Sequence, residues 1–480
     1  MKLQPYPEYK DSGLLWLGDI PSHWEVRPLR TLLKQRNEKN RPLKTRQILS
    51  LSIAHGVTLY SHEGRGGNKS KSDLTAYKIA RKGDIVLNSM NVVVGAVGLS
   101  KYTGAISPVY YALYPLSDNV NIHYYDAVFS NHTFQRYLLI YGKGILIKEG
   151  DSGKLNTIRM KISSDDLKTI SLPLPTPEEQ TAIARFLNWK TIQVKRFIRN
   201  RRRLIEVLNE QKQAIINQAV TRGLNPDAPL KPSGIDSIED IPAHWEPLKI
   251  RRITKHHKQG FYTTKAYINS GVRLVRITDI LGTRINWEGM PYVSISANDE
   301  KLFRVMEDDF LFARTGGAGL FARVIAPLRS AFASYLIRFR FNERIAPSYM
   351  ELFLQSHLFQ NGIQSSIHGG VNRNVHAEDI KNQHILIPPD TEQIAIVDHL
   401  KRATAVINTA TSQAKQEIDT IVEYRTRLIS DVVTGKVDVR HLTPAPGGED
   451  LEETVEALEP LEEDLADGVV ADEEPIHEAD

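Results

Sequence analysis

From residue 176 onward, apolar residues recur at mixed spacings of three and four: Ile183, Phe186, Leu187, Val194, Phe197, Ile198, Ile205, Leu208, Ile215 and Val220. No Gly or Pro interrupts the run between Pro177 and Gly223. That period predicts one continuous α-helix with a single apolar stripe. Thr176 is placed to cap it, Pro177 suits its first position, and Glu179 completes a capping box. Residues 178–221 would form a rod about 66 Å long, at ~1.5 Å per residue. A second run, residues 388–436, repeats the pattern. Glu392-Gln393 stands for Glu179-Gln180, Leu400 for Leu187, and Thr434-Gly435 for Thr221-Arg222-Gly223, with Gln and Thr 41 positions apart in both copies. Two matched rods, each apolar along one stripe, predict a two-helix coiled coil.

Ahead of each rod the period changes. The first half carries short strand-like runs at 47–53, 84–88, 91–97, 109–113 and 170–174, with a helix over 123–141. The second carries runs at 272–277, 310–313, 321–325, 335–341 and 385–387, with a helix near 347–360. Runs of this length separated by Gly and charged turns predict a mixed α/β (α+β) domain in each half. Each domain opens on the same marker. Asp19-Ile20-Pro21 with His23-Trp24-Glu25 returns 221 residues later as Asp240-Ile241-Pro242 with His244-Trp245-Glu246. Trp24 and Trp245 read as packing anchors that seat a domain on its rod, base stacking being the lesser alternative. The expected organisation is a first domain over 1–176, a long helix over 177–223 and a Pro-rich linker over 224–240. A second domain over 241–388, a second long helix over 389–437 and an acidic tail over 438–480, expected to be disordered, complete it.

Charge sharpens this picture. The chain has 61 Lys and Arg against 57 Asp and Glu, but 15 of the acids and none of the bases lie in 446–480. The remaining residues carry 61 basic and 42 acidic groups, a net of +19. A basic body points to a polyanionic partner, most simply nucleic acid. A coiled-coil adaptor that joins two proteins without touching DNA is the competing class, and the excess positive charge argues against it. There are no cysteines, no apolar signal core in the opening residues and no run long enough to span a membrane, which reads as a cytoplasmic protein.

Catalytic signatures are missing. Gly64-Arg65-Gly66-Gly67-Asn68-Lys69-Ser70 lacks the Gly directly before Lys that a phosphate-binding loop requires. No Asn/Asp-Pro-Pro-Tyr/Phe tetrapeptide for amino methylation occurs, and His256-His257 has no carboxylate at ligand spacing, so no metal site is expected. Late in each domain lies a polar, Gly-containing stretch, 149–163 and 368–379, whose side chains offer phosphate and base-edge donors. By chemistry and loop placement, the DNA-contact candidates of the first domain are Arg65, Lys69, Lys71, Asn88, Asn91, Lys154, Asn156 and Arg159. Those of the second are Lys258, Tyr262, Lys265, Arg276, Arg314, Asn372, Arg373 and Asn374. The basic run Arg199, Arg201, Arg202, Arg203 has three open readings: phosphates of an unread DNA spacer, a solvated face, or acids of a partner.

WLGDIPSHWE, then a variable domain with KGDIVLNSMN, then LPLPTPEEQTAIARFL leading a long helix to AVTRGL, all of it duplicated, resembles the specificity subunit of a type I restriction-modification system. The resemblance covers about residues 11–437, and the acidic tail departs from it. It implies two target recognition domains separated by an antiparallel coiled coil with pseudo-twofold symmetry, each domain reading half of a bipartite, asymmetric DNA site. Pro175, Glu179 and Gln180, with Pro388, Glu392 and Gln393, match the family's helix-start motif, which implies a role in structure and subunit docking. The implied partners are double-stranded DNA, DNA methyltransferase subunits, two by that family pattern, and restriction/translocase subunits. No cofactor is expected on this chain; S-adenosylmethionine, ATP and Mg would belong to the partner subunits.

Overall fold

The computed structural model describes residues 3–53, 55–60, 73–90, 95–145, 159–317, 319–366 and 374–442. The chain divides into two compact units, residues 1–201 with 415–480, and residues 202–414. Each is a mixed α/β body that includes part of both long helices, Pro177–Arg222 and Asp390–Val433.

In the first unit a hairpin of Tyr9–Asp11 and Asp19–Pro21 precedes strand Glu25–Pro28, which pairs antiparallel with Ser171–Leu174. A four-stranded antiparallel sheet follows in the order Leu33–Gln35, Tyr110–Pro115, Ile85–Asn88, Val97–Leu99. Ile85, Val86 and Leu87 are fully buried, which explains why this strand reads as an unbroken apolar run. The second unit has the same plan. Its hairpin is Leu230–Ile235 with Ile238–Pro242, its short pair is Glu246–Lys249 with His384–Ile387, and its sheet runs Thr254–Gln259, Leu336–Phe341, Phe310–Ala313, Phe321–Arg323. It adds a three-stranded sheet in which Val272–Val275 pairs parallel to Ser330–Phe332 and antiparallel to Tyr292–Val293.

Three expectations need correction. Residues 224–240 are not a plain linker, because they carry one whole strand and the start of the other in the second hairpin. The strands tolerate Pro232 through a register shift between Pro232 and Ile235, where Gly234 has φ +70°. The helix expected over 123–141 is two, Ile122–Phe129 and His132–Tyr137, because Asn131 Oδ1 accepts from the backbone N–H of Thr133 (2.7 Å) and restarts the chain as a new N-cap. The helix near 347–360 likewise splits into Pro347–Leu354 and His357–Ser365, with Ser356 as the cap. Of the acidic tail, residues 443–480 lie outside the described residues. Its first residues are ordered, with Val439 and Leu442 buried in the first unit's core.

Within each unit the two long helices run antiparallel. In the first, Ile183, Phe186 and Leu187 share a core with Leu428, Val432 and Val433, and Arg201 pairs with Glu417 (2.5 Å). In the second, Ile216, Ala219 and Val220 share a core with Ile396, Val397 and Leu400, and Lys212 Nζ donates to Asn408 Oδ1 (2.8 Å). The apolar stripe read from the sequence is the surface that each helix buries.

Candidate nucleic-acid interface

The same knot fastens each head to its helices. Trp24 is fully buried and its indole N–H donates to Glu179 Oε2 at 3.2 Å, while His23 Nε2 lies 2.9 Å from the same oxygen. Trp245, also fully buried, donates to Glu392 Oε2 at 3.0 Å, with His244 Nε2 at 2.7 Å. The neighbouring glutamine closes the other side. Gln180 Nε2 donates to the Pro175 carbonyl (2.9 Å) and its Oε1 accepts from Asn121 N (2.8 Å); Gln393 does the same with Pro388 O (3.0 Å) and Ala346 N (2.7 Å). Glu179, Gln180 and Gln393 are buried within their own units. The helix-start motif therefore forms an internal clamp on a packed tryptophan, and the two Trp side chains present no face for base stacking. Burial beside Glu179 also pushes the Tyr6 hydroxyl far above its ordinary range.

Each knot also receives the far end of the other long helix. Gly435 (φ +77°) turns the chain against Pro21 and Trp24, and Gly223 (φ +74°) does so against Pro242, Trp245 and Glu392. The Thr-Gly ends seen in the sequence are therefore the second half of the same seat.

At the other side of each head, the chain returning from the polar stretch is tied to the end of a central strand. In the first unit Ile162 N donates to Ser89 O (3.0 Å), just past Ile85–Asn88. In the second, Val375 N donates to Arg314 O (2.8 Å), just past Phe310–Ala313, and Thr315 Oγ1 donates to Asn374 Oδ1 (2.8 Å). The described ends of the two polar stretches, residues 159–163 and 374–379, are thus brought to corresponding corners, beside Asn88 in the first unit and beside Arg314 in the second.

Of the candidate contacts, Arg65, Lys69, Lys71, Asn91, Lys154, Asn156, Asn372 and Arg373 lie outside the described residues. Asn88 is half-buried and its Oδ1 accepts from Met90 N (3.0 Å). Arg159 begins a strand paired with Lys143–Ile145. In the second unit Tyr262 and Lys265 are exposed, and Lys258 lies on the outer strand of the sheet with its ammonium 5.0 Å from the Phe303 ring centre. Arg276 is held by Asp279 through two hydrogen bonds (3.1 and 2.9 Å), which raise its already high pKa. In the basic run, Arg201 pairs with Glu417 and Arg203 with Glu206 (2.9 Å).

Other residues of the second head were not among the DNA-contact candidates. Tyr335 is 58% exposed beside the same corner, where its carbonyl accepts from Arg314 N (2.8 Å), and its flanking sequence, Ala333-Ser334-Tyr335-Leu336, carried no signal of that exposure. Lys255, His256 and His257 are exposed along the outer strand Thr254–Gln259, and His257 stacks on Phe339. Partial burial and the cations Arg338 and Arg340 lower the pKa of His256. Among the described residues, no group of three or more His, Cys, Asp or Glu is placed to hold a metal ion, and no helix is long and apolar enough to cross a membrane.

Residues 242–420 match the family model described as the type I restriction modification DNA specificity domain. The specificity subunit of the type I restriction enzyme EcoKI of Escherichia coli is 22% identical over 293 residues, which cover 60% of this chain and 61% of that protein. The MjaVIII specificity subunit of Methanocaldococcus jannaschii is 23% identical over 284 residues, covering 57% and 64%. The match thus spans less than two thirds of the length of either relative. A solved structure from work on complex assembly and conformational transition of the type I R-M system superposes with a TM-score of 0.59 at 12% identity, over 86% of this chain and 98% of that one, a likeness of fold. Alongside the duplicated clamp and the duplicated head plan, the chain is thus similar over residues 242–420 to the type I restriction modification DNA specificity domain, and at 22–23% identity to type I specificity subunits.

Proposed function

We propose that this chain is the DNA-reading subunit of a type I restriction-modification complex, in which two unlike heads each read half of a bipartite, asymmetric site. One observation carries the reading. The clamp and sheet plan occur twice with little change, whereas the polar stretches 149–163 and 368–379, whose described ends lie at the corresponding corners, differ almost completely in sequence. A duplicated scaffold bearing divergent donors suits a reader of two different sequences. In this reading the long helices form one antiparallel coiled coil that sets the distance between half-sites. The methyltransferase and restriction/translocase subunits dock on the assembly and hold S-adenosylmethionine, ATP and Mg, so this chain performs no catalytic step.

The test is methylation mapping in cells that carry the complex, with variants of this chain. Asn372→Ala or Arg373→Ala should relax one half of the split motif, by about 1–3 kcal/mol for a lost base contact, and leave the other half intact. Removing one heptad from each long helix shortens the rod by ~10 Å and should shorten the preferred spacer by about three base pairs. An unchanged spacer, or a motif that is not split, would refute the reading.

A further inference from the structure

We infer that Arg314 and Tyr335 are a specificity-determining pair of the second head: the Arg314 guanidinium reads the edge of a guanine and the Tyr335 ring packs against the neighbouring base. The inference rests on the DNA-reading function proposed above. Ala313 pairs with Leu336, and one step further out Arg314 N donates to Tyr335 O (2.8 Å), so the two residues are cross-strand neighbours at the end of the central ladder. Tyr335 lies in a four-residue turn, Ala333 to Leu336, closed by Leu336 N donating to Ala333 O (2.9 Å). The turn is held from three other segments. Ala333 N donates to Val275 O (2.9 Å), Ser334 O accepts from Gln259 Nε2 (3.2 Å), and Tyr335 O accepts from Arg314. Gly260 lies so close that a β-carbon there would collide with the Ala333 carbonyl. An exposed aromatic on a backbone fixed in this way gives up little freedom when it meets a ligand, as a rigid binding anchor does.

The Arg314 side chain is set apart by what it does not touch. Arg276, Arg284, Arg323, Arg329, Arg340 and Arg344 of the same head are each bound to a carboxylate. The half-buried Arg314 guanidinium makes no hydrogen bond or ion pair among the described residues. The side chains gathered around it, Gln259, Thr315, Ser334 and Asn374, are uncharged. A lone cation among hydrogen-bonding groups suits a base edge, where a guanidinium fork matches guanine O6 and N7, better than a phosphate track, which calls for clustered charge. The first head builds the same turn with other side chains. There Asn88 pairs with Tyr110, Tyr110 N donates to Ser107 O (3.0 Å), and the places of Arg314 and Tyr335 are taken by the buried Ser89 and the exposed Val109. One scaffold position thus carries a cation and an aromatic in one head and an aliphatic in the other, as readers of different sequences require.

The test maps methylated sites in cells carrying the full complex with variants of this chain. Arg314→Ala and Arg314→Lys should each lose discrimination about ten- to hundredfold at one G·C pair in one half of the split motif, because lysine keeps the charge but not the fork. The other half should be unchanged. Tyr335→Ala should relax the adjacent pair of the same half, and Tyr335→Phe, which keeps the ring, should retain the wild-type motif. A motif unaffected by Arg314→Ala overturns the pair, and so does an equal loss at every site, the mark of a phosphate contact. Neither side chain has an internal partner among the described residues, so the purified variants should keep the wild-type unfolding midpoint; a variant that does not fold reveals a structural role and also overturns the assignment. A wild-type complex that marks no split motif overturns the proposed function, and the pair with it.

Discussion

Replacing Glu179 by Gln exchanges one carboxylate oxygen for an amide nitrogen and removes the charge at the centre of the first clamp. The Glu179 side chain is only 4% exposed and serves the Trp24 indole N–H (3.2 Å), His23 (2.9 Å) and the backbone N–H of Thr176 (3.4 Å). All three meet Oε2, so a glutamine either keeps its oxygen there and turns its N–H groups on His23 Nε2 (3.0 Å from Oε1) and the Arg440 guanidinium (3.6 Å), or flips and turns them on the indole N–H. Losing one charge-assisted hydrogen bond costs about 1.5–3 kcal/mol, and leaving a buried indole N–H unpaired costs about 1–3 kcal/mol. The two losses overlap, so the expected destabilisation is about 2–4 kcal/mol. Trp24→Phe deletes the donor together with most of the mismatch, so the double variant should lose less than the sum, with a coupling of at least about 1 kcal/mol. A chain of two units need not unfold in one step, and a single midpoint would blur the effect. Hydrogen exchange read by mass spectrometry resolves it. Glu179→Gln should lower protection in residues 1–201 and 415–442, and Glu392→Gln should lower it in 202–414. A change below about 0.5 kcal/mol in the affected unit, or additive behaviour of the pair, would refute the clamp.

Gly435→Ala should destabilise the chain by about 2–4 kcal/mol, because it forces a left-handed φ on an L-residue and drives a methyl into the Pro21 ring. Gly223→Ala should cost less, since its methyl would meet the Glu392 carboxylate end at 3.0 Å and the Trp245 ring at 3.2 Å; scanning calorimetry of both variants checks the order. Asp126 supplies a pH test: one carboxylate oxygen is sealed from solvent without a partner, although the residue as a whole is half-buried, and burial pushes its pKa up to about 6. A raised carboxyl favours the folded state when protonated, so its penalty is absent below about pH 4, grows between pH 4 and 6 and is complete above. Asp126→Asn should therefore stabilise by about 1–3 kcal/mol at pH 7.5 and by almost nothing at pH 3.5, read as the difference in unfolding midpoints. A gain that is the same at both pH values would show that the carboxyl is not the cause.

What the sequence determined by itself are the features whose signal is local or repeated. The two rods follow from a stripe of apolar residues at helical spacing and from Thr176, Pro177 and Glu179 at the first start. Strands such as Phe310–Ala313 follow from short apolar runs, and the repeat follows from a marker that returns unchanged. The clamp was visible only as its parts. That Trp24 meets a carboxylate 155 residues away was decided by the fold, because the bond depends on where a distant helix begins. The hairpin in residues 224–240 was hidden by Pro and Gly, whose local preference is for loops and which here sit at a register shift. The breaks at Asn131 and Ser356 were hidden because a capping side chain can also point to solvent within a helix, and only packing of the second short helix selects the cap. The sheets show the same division. Asp84 and Asp309 occupy matching places and both are buried, yet Asp84 is held by Arg36 from the outer strand and Asp309 by Arg340 from the middle one. A buried carboxylate must find a cation, but which strand provides it depends on the sheet being assembled. For the candidate interface, the sequence picked polar types and glycine-rich stretches, and the tertiary structure chose among them by geometry. It tied Arg276 to Asp279, brought Arg314 and Asn374 to one corner, and exposed Tyr335 beside them, since availability to a partner is a property of what the surrounding chain has already satisfied.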